Sequence, residues 1–151
     1  MWMYKETVVQ DLETLKELSG LDSVFGFIYG IEYEDGTYYI GKKQVTKMEY
    51  LLPLLSGKKR KGHIKFQRKK KKGRLTASEV VLKETNWKTY TGSTLNAESP
   101  VVRKTILKVC PTKRNLTYEE AKYLFIYEVL EDEKSINENI LGSFYKGNLG
   151  V

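Results

Sequence analysis

The sequence predicts an α+β fold, in which a β-hairpin and a third strand are combined with two helices. Two runs rich in aromatic and β-branched residues, 25–33 and 37–43, flank the turn-forming segment Glu34-Asp35-Gly36, which is typical of a hairpin. A further run rich in β-branched residues, 101–109, predicts the third strand. Apolar residues at helical spacing predict helices over 5–19 and 117–130.

Length and composition predict one soluble domain over residues 1–151. Hydrophobic residues make up 40% and charged residues 30% of the chain, and no apolar run approaches the ~20 residues of a membrane span. Cys110 is the only cysteine, which excludes an internal disulfide and predicts a buried thiol at a strand end. Because the N-terminus lacks a signal-peptide layout, we expect an intracellular, cytoplasmic protein with no membrane partner.

The net charge of +7 is concentrated in a basic insertion at residues 57–74, which holds eight lysines, three arginines and no acid. Such a run on a mildly acidic body predicts a polyanion partner, although a solvated loop is the alternative. We expect an arm that contacts phosphates without reading sequence. Its candidate nucleic-acid-binding residues are Lys58, Lys59, Arg60, Lys61, Arg68, Lys69, Lys70 and Arg74.

The first helix is predicted over residues 5–19. Apolar residues at 8, 9, 12, 15 and 18 form one face, and Gly20 is a plausible end. We expect this helix to pack on the sheet with a purely structural role.

The hairpin turn allows two registers. A two-residue Asp-Gly loop would bring Tyr29 and Tyr38 to one face, whereas a three-residue Glu-Asp-Gly loop would bring Tyr29 and Tyr39 there. We favour the three-residue loop because its last position requires a positive φ, which Gly36 supplies. Tyr29 then lies opposite Gly41, with Tyr39 diagonal to it.

The middle of the chain offers weaker signals. The capping-box spacing of Thr76-Ala77-Ser78-Glu79 predicts a short helix over 77–85. Trp87 and Tyr90 are expected to pack under the basic arm, with base stacking as the alternative. In the third strand, simple alternation predicts one face for five residues: Val101, Arg103, Thr105, Leu107 and Val109.

The clearest helix is predicted to begin at Thr117 as its cap and to run to about Leu130. Its inward stripe is expected to hold Ala121, Leu124, Phe125, Glu128 and Val129, with Glu120 at the border. Because Glu120 has capping-box spacing from Thr117, it could simply bond back to the cap. The glycine-rich segment 142–151 predicts a flexible tail.

The triplets Phe27-Ile28-Tyr29 and Tyr39-Ile40-Gly41 resemble the GIY-YIG nucleases, which cut DNA phosphodiesters with one divalent metal ion. Phe27 departs from the glycine of the first triplet. The order of hairpin, third strand, carboxylate-bearing helix and asparagine is similar to that family over most of the chain. The resemblance implies a small antiparallel sheet flanked by helices, with the site on one face, and a phage-type endonuclease.

The resemblance also implies roles for particular side chains. Tyr29 would take a proton from the attacking water, Tyr39 would orient water or phosphate, and Glu120 would bind Mg²⁺ (or Mn²⁺). Glu119 and Glu128 are alternatives for the metal. Asn137 would brace the metal-binding helix, with Asn139 or a simple turn-forming role as the alternatives.

An arginine that the family pattern expects about ten residues after the second tyrosine is missing, because Met48-Glu49-Tyr50 stand there. Arg103, on a predicted strand, is our first choice to replace it, and Arg74 or Arg60 are alternatives. Lys43, on the Tyr39 face, and Lys42 are expected to contact phosphate.

The expected substrate is double-stranded DNA, and branched DNA and RNA stay open. The competing functions are a nucleic-acid-binding protein that does not cleave and a basic protein–protein adaptor. The sequence leaves the oligomeric state open.

Overall fold

A computed structural model of the chain describes residues 1–51, 65–71, 74–92 and 99–150. The chain divides into a first unit, Met1–Val45 with Asn86–Val151, and a second unit, Thr46–Thr85. The predicted basic arm belongs to the second unit, and its residues 57–64, 72 and 73 lie outside the described residues. None of the described helices has the length and apolar character needed to cross a membrane.

The elements follow one another in this order: β1 (Trp2–Tyr4), β2 (Thr7–Val9), α1 (Leu12–Ser19), β3 (Gly26–Tyr33), β4 (Tyr38–Gln44), β5 (Thr46–Leu51), β6 (Lys65–Lys71), β7 (Arg74–Glu84), β8 (Val101–Cys110), α2 (Lys113–Ile126), β9 (Asn139–Ile140) and β10 (Phe144–Tyr145).

The first unit is built on a five-stranded sheet in the order β2-β1-β8-β3-β4. The hairpin β3–β4 and the antiparallel pair β3–β8 are the predicted core of this sheet, so the α+β fold class is confirmed. The sheet is larger than predicted because β1 and β2 extend it, β1 running parallel to β8. Strand β4 therefore forms one edge of the sheet.

Alternate side chains of β3 point to opposite faces of the sheet. Both sets are apolar, and each packs against one helix. Phe27 and Tyr29 share one core cluster with Leu15 of α1. Ile28 belongs to a second cluster with Leu124 of α2. We refer to these two sides as the Tyr29 face and the α2 face.

The predicted first helix is correct only in its second half. Helix α1 begins after Asp11, whose carboxylate accepts a hydrogen bond from the Thr14 N–H at 2.8 Å, and ends at Gly20 with a φ of 72°. Residues 2–9 form the β1–β2 hairpin instead, with positive φ angles at Lys5 and Glu6 in its turn. Strands of three residues give too short an alternation to be distinguished from a helical pattern.

The cap of helix α2 lies five residues earlier than predicted. Thr112 is its cap and accepts a hydrogen bond from the Asn115 N–H at 3.1 Å, whereas Thr117 lies inside the helix. Glu120 is therefore outside the first turn and is not part of a capping box. The predicted inward stripe is correct only in part: Leu124 and Val129 are buried, whereas Phe125 is 52% exposed and Glu128 is exposed beyond the helix end.

Strand β8 does not keep the simple alternation predicted for it. The pairing with β3 shifts by one residue between Ile28 and Tyr29 and again between Glu32 and Tyr33. A bulge of this kind reverses the side to which later residues point. Consequently Val109 joins the cluster on the Tyr29 face, whereas Leu107 packs on the α2 face. Cys110 ends β8 and is fully buried, as predicted, and burial raises the pKa of its thiol to about 11.

The second unit is a three-stranded antiparallel sheet in the order β5-β7-β6. The helix predicted over 77–85 is wrong, because β7 occupies that segment and pairs on both sides. Strand β6 comes from the basic run and forms an edge of this sheet. The backbone of Lys65–Lys71 is extended. Lysine residues on an edge strand discourage pairing with other chains.

The segment predicted as a flexible tail is folded back onto the first unit. Strands β9 and β10 form a short hairpin, and Leu149 packs against the α2-face cluster. The Lys146 ammonium group donates hydrogen bonds to the carbonyl oxygens of Asp132, at 3.1 Å, and Ser135.

Candidate active site

The hairpin has the predicted three-residue loop. The Tyr33 N–H donates to the Thr37 carbonyl at 2.9 Å, and Gly36 adopts a φ of 87°. Tyr29 lies opposite Gly41 in the ladder, so the predicted register is confirmed. Tyr38 turns to the α2 face, where its hydroxyl donates to the Asp132 carboxylate at 2.7 Å.

Two phenol rings lie directly over Gly41. The ring centroids of Tyr29 and Tyr39 are 6.1 Å apart. A Cβ atom at position 41 would lie 2.6 Å from the Tyr29 hydroxyl oxygen and 2.8 Å from a ring carbon of Tyr39. Only glycine leaves room for both rings.

Replacing Gly41 with alanine should therefore destabilise the protein by about 1–3 kcal/mol, the usual cost of overpacking a core. The matched control is Gly30→Ala on the neighbouring strand, where a Cβ would sit in ordinary contact, 3.5 Å from Ile40. Urea denaturation measures both free energies of unfolding. Equal stability of the two variants would contradict the close approach at Gly41.

The Tyr29 side chain is fully buried, and its hydroxyl lies near the Tyr90 phenol but makes no well-formed hydrogen bond within the described part of the chain. Burial raises the pKa of Tyr29 far above its usual value, and the nearby Tyr90 and Tyr39 phenols and the Glu120 carboxylate add to this rise. An orphaned hydroxyl in a buried position is costly, which makes it a candidate for contact with a bound group.

A third tyrosine, Tyr90, completes the cluster and was missed as a site residue. Its ring meets Tyr29 edge-on, with centroids 5.9 Å apart. The Lys43 ammonium nitrogen lies 4.1 Å from the Tyr90 ring centroid and 2.8 Å from the Asn86 amide oxygen. We call Lys43, Asn86 and Tyr90 the lysine clamp.

Trp87 explains why Tyr90 is found here. Trp87 is fully buried against Phe27, with ring centroids 6.0 Å apart, and its carbonyl accepts a hydrogen bond from the Trp2 indole at 2.6 Å. Trp87 and Tyr90 both belong to the core cluster of the first unit, and their predicted packing under the basic arm stays a prediction, because most of that arm lies outside the described residues. The aromatic spacing signalled packing, but sequence alone did not identify the surface that received it.

Glu120 faces a polar pocket of about 240 Å³ beside the edge strand β4. Its side chain is 21% exposed and lies 3.4 Å from the Lys42 ammonium nitrogen, on the α2 face. Because β4 is an edge, residues from both faces meet there, and Tyr39 lines the same pocket. The remaining lining residues are Ile40, Leu124, Asn137, Glu138, Asn139 and Leu141.

Asn137 is buried and bonds to strand β4 with both ends of its amide. Its oxygen accepts from the Ile40 N–H at 3.0 Å, and its nitrogen donates to the Ile40 carbonyl at 2.8 Å. The backbone of residues 134–136 forms hydrogen bonds with the backbone of Tyr38. The Asn137 side chain extends this hydrogen-bonding pattern along β4 to Ile40. Asn137 therefore braces β4, not helix α2 as predicted. Asn139 accepts from the Gly142 N–H at 3.0 Å, a turn-forming role.

Removing the Asn137 amide should cost about 2–4 kcal/mol of stability, because Asn137→Ala leaves a buried N–H and a buried carbonyl unpaired. Asn139→Ala, which removes one exposed bond, is the control and should cost less than about 1 kcal/mol. Thermal or urea unfolding followed by circular dichroism measures both. A loss for Asn137→Ala no larger than the control would show that the edge of β4 needs no brace.

Arg103 does not lie on the same face of the sheet as Tyr29 and Tyr39. It lies on the α2 face, where its guanidinium is 3.5 Å from the Glu32 carboxylate and 65% of its side chain is exposed. It lines a separate pocket of about 400 Å³ with Tyr38 and Asp132. The bulge opposite Ile28 and Tyr29 separates Arg103 from Val109 and explains why simple alternation wrongly put these two residues on one face.

The other predicted cations divide between the two units. Lys43 lies on the Tyr29 face and Lys42 on the α2 face, as their partners Phe27 and Ile28 require. Arg60 and its neighbours Lys58, Lys59 and Lys61 lie outside the described residues. The second unit holds Arg68, Lys69, Lys70 and Arg74 on strands β6 and β7.

A divalent ion fits this donor set. Among the described residues, no three His, Cys, Asp or Glu side chains lie close enough together to bind one metal ion. The predicted metal site therefore depends on the Glu120 carboxylate alone. Mg²⁺ commonly binds through one or two carboxylates together with waters and substrate phosphates. Glu120 faces an open, polar pocket with oxygen-bearing neighbours, and the Lys42 ammonium group that pairs with its carboxylate would have to move aside for the ion.

Comparison with known families matches the chain to a family model over residues 2–149. The matching family is described as "Putative endonuclease segE, GIY-YIG domain". No curated protein and no solved structure matches the chain.

Proposed function

Because the chain belongs to this GIY-YIG endonuclease family, a family of nucleases whose substrate is nucleic acid, we propose that it is a metal-dependent endonuclease that hydrolyses DNA phosphodiester bonds. The observation that carries the proposal is the placement of Tyr29 and Tyr39 over Gly41, with Tyr39 also lining the Glu120 pocket.

In the proposed reaction, a water oxygen attacks phosphorus, the bond from phosphorus to the leaving sugar oxygen breaks, and that oxygen takes up a proton from solvent. Tyr29 would accept the proton of the attacking water, and Tyr39 would orient water or phosphate. Glu120 would hold Mg²⁺ (or Mn²⁺), which when bound supplies Lewis-acid stabilisation of phosphate charge. Asn137 supports this arrangement by fixing the strand that carries Tyr39.

Proton transfer to Tyr29 needs positive charge nearby. Burial raises the pKa of Tyr29, and this favours the protonated phenol, which cannot act as a base. A cation close to the ring would oppose that effect. The bound metal and a lysine are the available sources, and Lys42, 3.4 Å from Glu120, would also contact phosphate.

We propose that the basic residues of the second unit bind the DNA backbone. Strand β6 carries consecutive basic residues, including Arg68, Lys69 and Lys70. Contacts of this type add affinity that falls steeply with salt and carries no sequence information. Double-stranded DNA is the proposed substrate.

Supercoiled plasmid tests the proposal directly. The protein with Mg²⁺ or Mn²⁺ is expected to convert it to nicked and linear forms, and EDTA should abolish the conversion. Cleavage that is unaffected by EDTA would contradict the metal dependence. A lack of cleavage with either ion would refute the endonuclease.

The placement of Arg103 on the α2 face favours a second candidate, a nucleic-acid-binding protein that does not cleave. This alternative predicts DNA binding that weakens with salt and no conversion of plasmid with any divalent ion.

A further inference from the structure

Phosphodiester hydrolysis builds negative charge on the phosphate oxygens, and a fixed cation at that place lowers the barrier. The arginine that the family pattern expects is missing, and Arg103 is held by Glu32 on the opposite face. Lys42 and the proposed metal site lie on the α2 face, so we looked for a cation on the Tyr29 face itself.

Lys43 occupies the required face. It follows Tyr39 and Gly41 at alternate positions of β4, so the three residues point to the same side of the sheet. Lys104 also lies on this face, but it is buried and its ammonium nitrogen is 4.3 Å from the Trp2 ring centroid. Lys43 is half-buried beside the tyrosine cluster.

The lysine clamp holds the Lys43 ammonium group in one place. The Asn86 oxygen accepts its hydrogen bond at 2.8 Å, and the Tyr90 ring provides a cation–π contact at 4.1 Å. Tyr90 in turn contacts Tyr29 edge-on. A lysine on a flexible stem normally loses much side-chain entropy when it is fixed, and here that cost is met in the folded protein before substrate arrives.

We propose that Lys43 replaces the missing arginine by placing its positive charge on the scissile phosphate, and that Asn86 and Tyr90 are positioning residues that aim it. The inference rests on the proposed endonuclease function. It gives Lys43 a role in the reaction step, beyond the general backbone contact of an exposed lysine. The distinction matters because a backbone contact adds binding affinity equally to substrate and transition state.

The test compares single-turnover cleavage rates at saturating protein with DNA Kd values measured separately in EDTA. Lys43→Met is expected to lower the rate about 10²-fold, the size seen when one charge-stabilising donor is removed. The Kd should change less than about threefold, and Lys43→Arg should restore most of the rate. Lys108→Met, an exposed lysine of β8 paired with Ile28 and outside both sites, is the matched control.

The positioning role is tested by Asn86→Ala and Tyr90→Leu. Both should lower the rate by about tenfold with little change in Kd, because each loosens the lysine without removing its charge. If Lys43→Met does not fold, as judged by circular dichroism, the Asn86→Ala variant decides by the same measurements, since Asn86 is exposed.

Two results would overturn the inference. One is a Lys43→Met rate equal to that of the wild type while Glu120→Gln is inactive, which leaves the endonuclease intact and removes Lys43 from it. The other is a weakened Kd with an unchanged rate at saturation, which reduces Lys43 to a backbone contact. A wild-type protein that cleaves nothing refutes both proposals together.

Discussion

Replacing Glu120 with glutamine is expected to lower the cleavage rate by about 10³-fold or more, because loss of metal-based charge stabilisation costs several kcal/mol. Glutamine keeps the size of the side chain but removes the charge that would hold the ion. The side chain lines the pocket beside Tyr39 and lies outside the buried clusters of the fold. The fold should therefore survive, and initial rates on plasmid at saturating Mg²⁺ measure the effect.

The same helix region offers two matched controls for Glu120→Gln. Glu119 is buried and does not line the Glu120 pocket, and Glu128 lies exposed beyond the helix end. Both Glu→Gln variants are expected to retain the wild-type rate within about threefold if folded. Isothermal titration with Mn²⁺ should show binding lost only in Glu120→Gln. An inactive Glu128→Gln with an active Glu120→Gln would move the metal site to the end of α2.

Replacing Tyr29 with phenylalanine is expected to lower the rate by about 10²–10⁴-fold, the usual contribution of a general base. The ring keeps its contacts with Trp2, Tyr39 and Tyr90, whose centroids lie 5.4, 6.1 and 5.9 Å away. The hydroxyl that is lost makes no well-formed hydrogen bond within the described residues, so stability should not fall.

Tyr33→Phe makes the same chemical change four residues along β3, on the same face and at a buried position. We expect it to cleave within about threefold of the wild type. Equal activity of Tyr29→Phe and Tyr33→Phe would exclude the Tyr29 hydroxyl from the reaction.

The pH dependence follows from the direction of the Tyr29 shift. A base with a raised pKa is mostly protonated near neutrality, so the cleavage rate should rise with pH by up to about tenfold per unit. Stability should respond in the opposite sense. The folded pKa lies above the ordinary value of 10.0, so the contribution to stability is complete below that pH and declines above it. Tyr29→Phe should remove both dependences.

The hairpin register could be predicted because one local requirement determined it. Gly36 supplies the positive φ that the three-residue loop needs, and this choice set Tyr29 opposite Gly41. The placement of Tyr29 and Tyr39 on one face could therefore be predicted from the turn alone. The burial of Cys110 at the end of β8 was also predicted from the sequence.

Long-range packing determined what the sequence could not show. The sequence pattern predicts the cap of α2 at Thr117, whereas in the fold Thr112 caps the helix. The bulges in β8 depend on its pairing with β3, so the face of Arg103 was not visible from alternation. The contact between Lys43 and Asn86 joins residues 43 positions apart and has no local signature.

The lysine clamp and the buried Trp87 also anchor the two points at which the chain leaves the first unit after Val45 and re-enters it at Asn86. Both points are tied to the same corner of the first unit by contacts within that unit. The entropy cost of closing a loop grows only slowly with its length. A longer or shorter segment between Val45 and Asn86 should therefore change the free energy of unfolding of the first unit only a little.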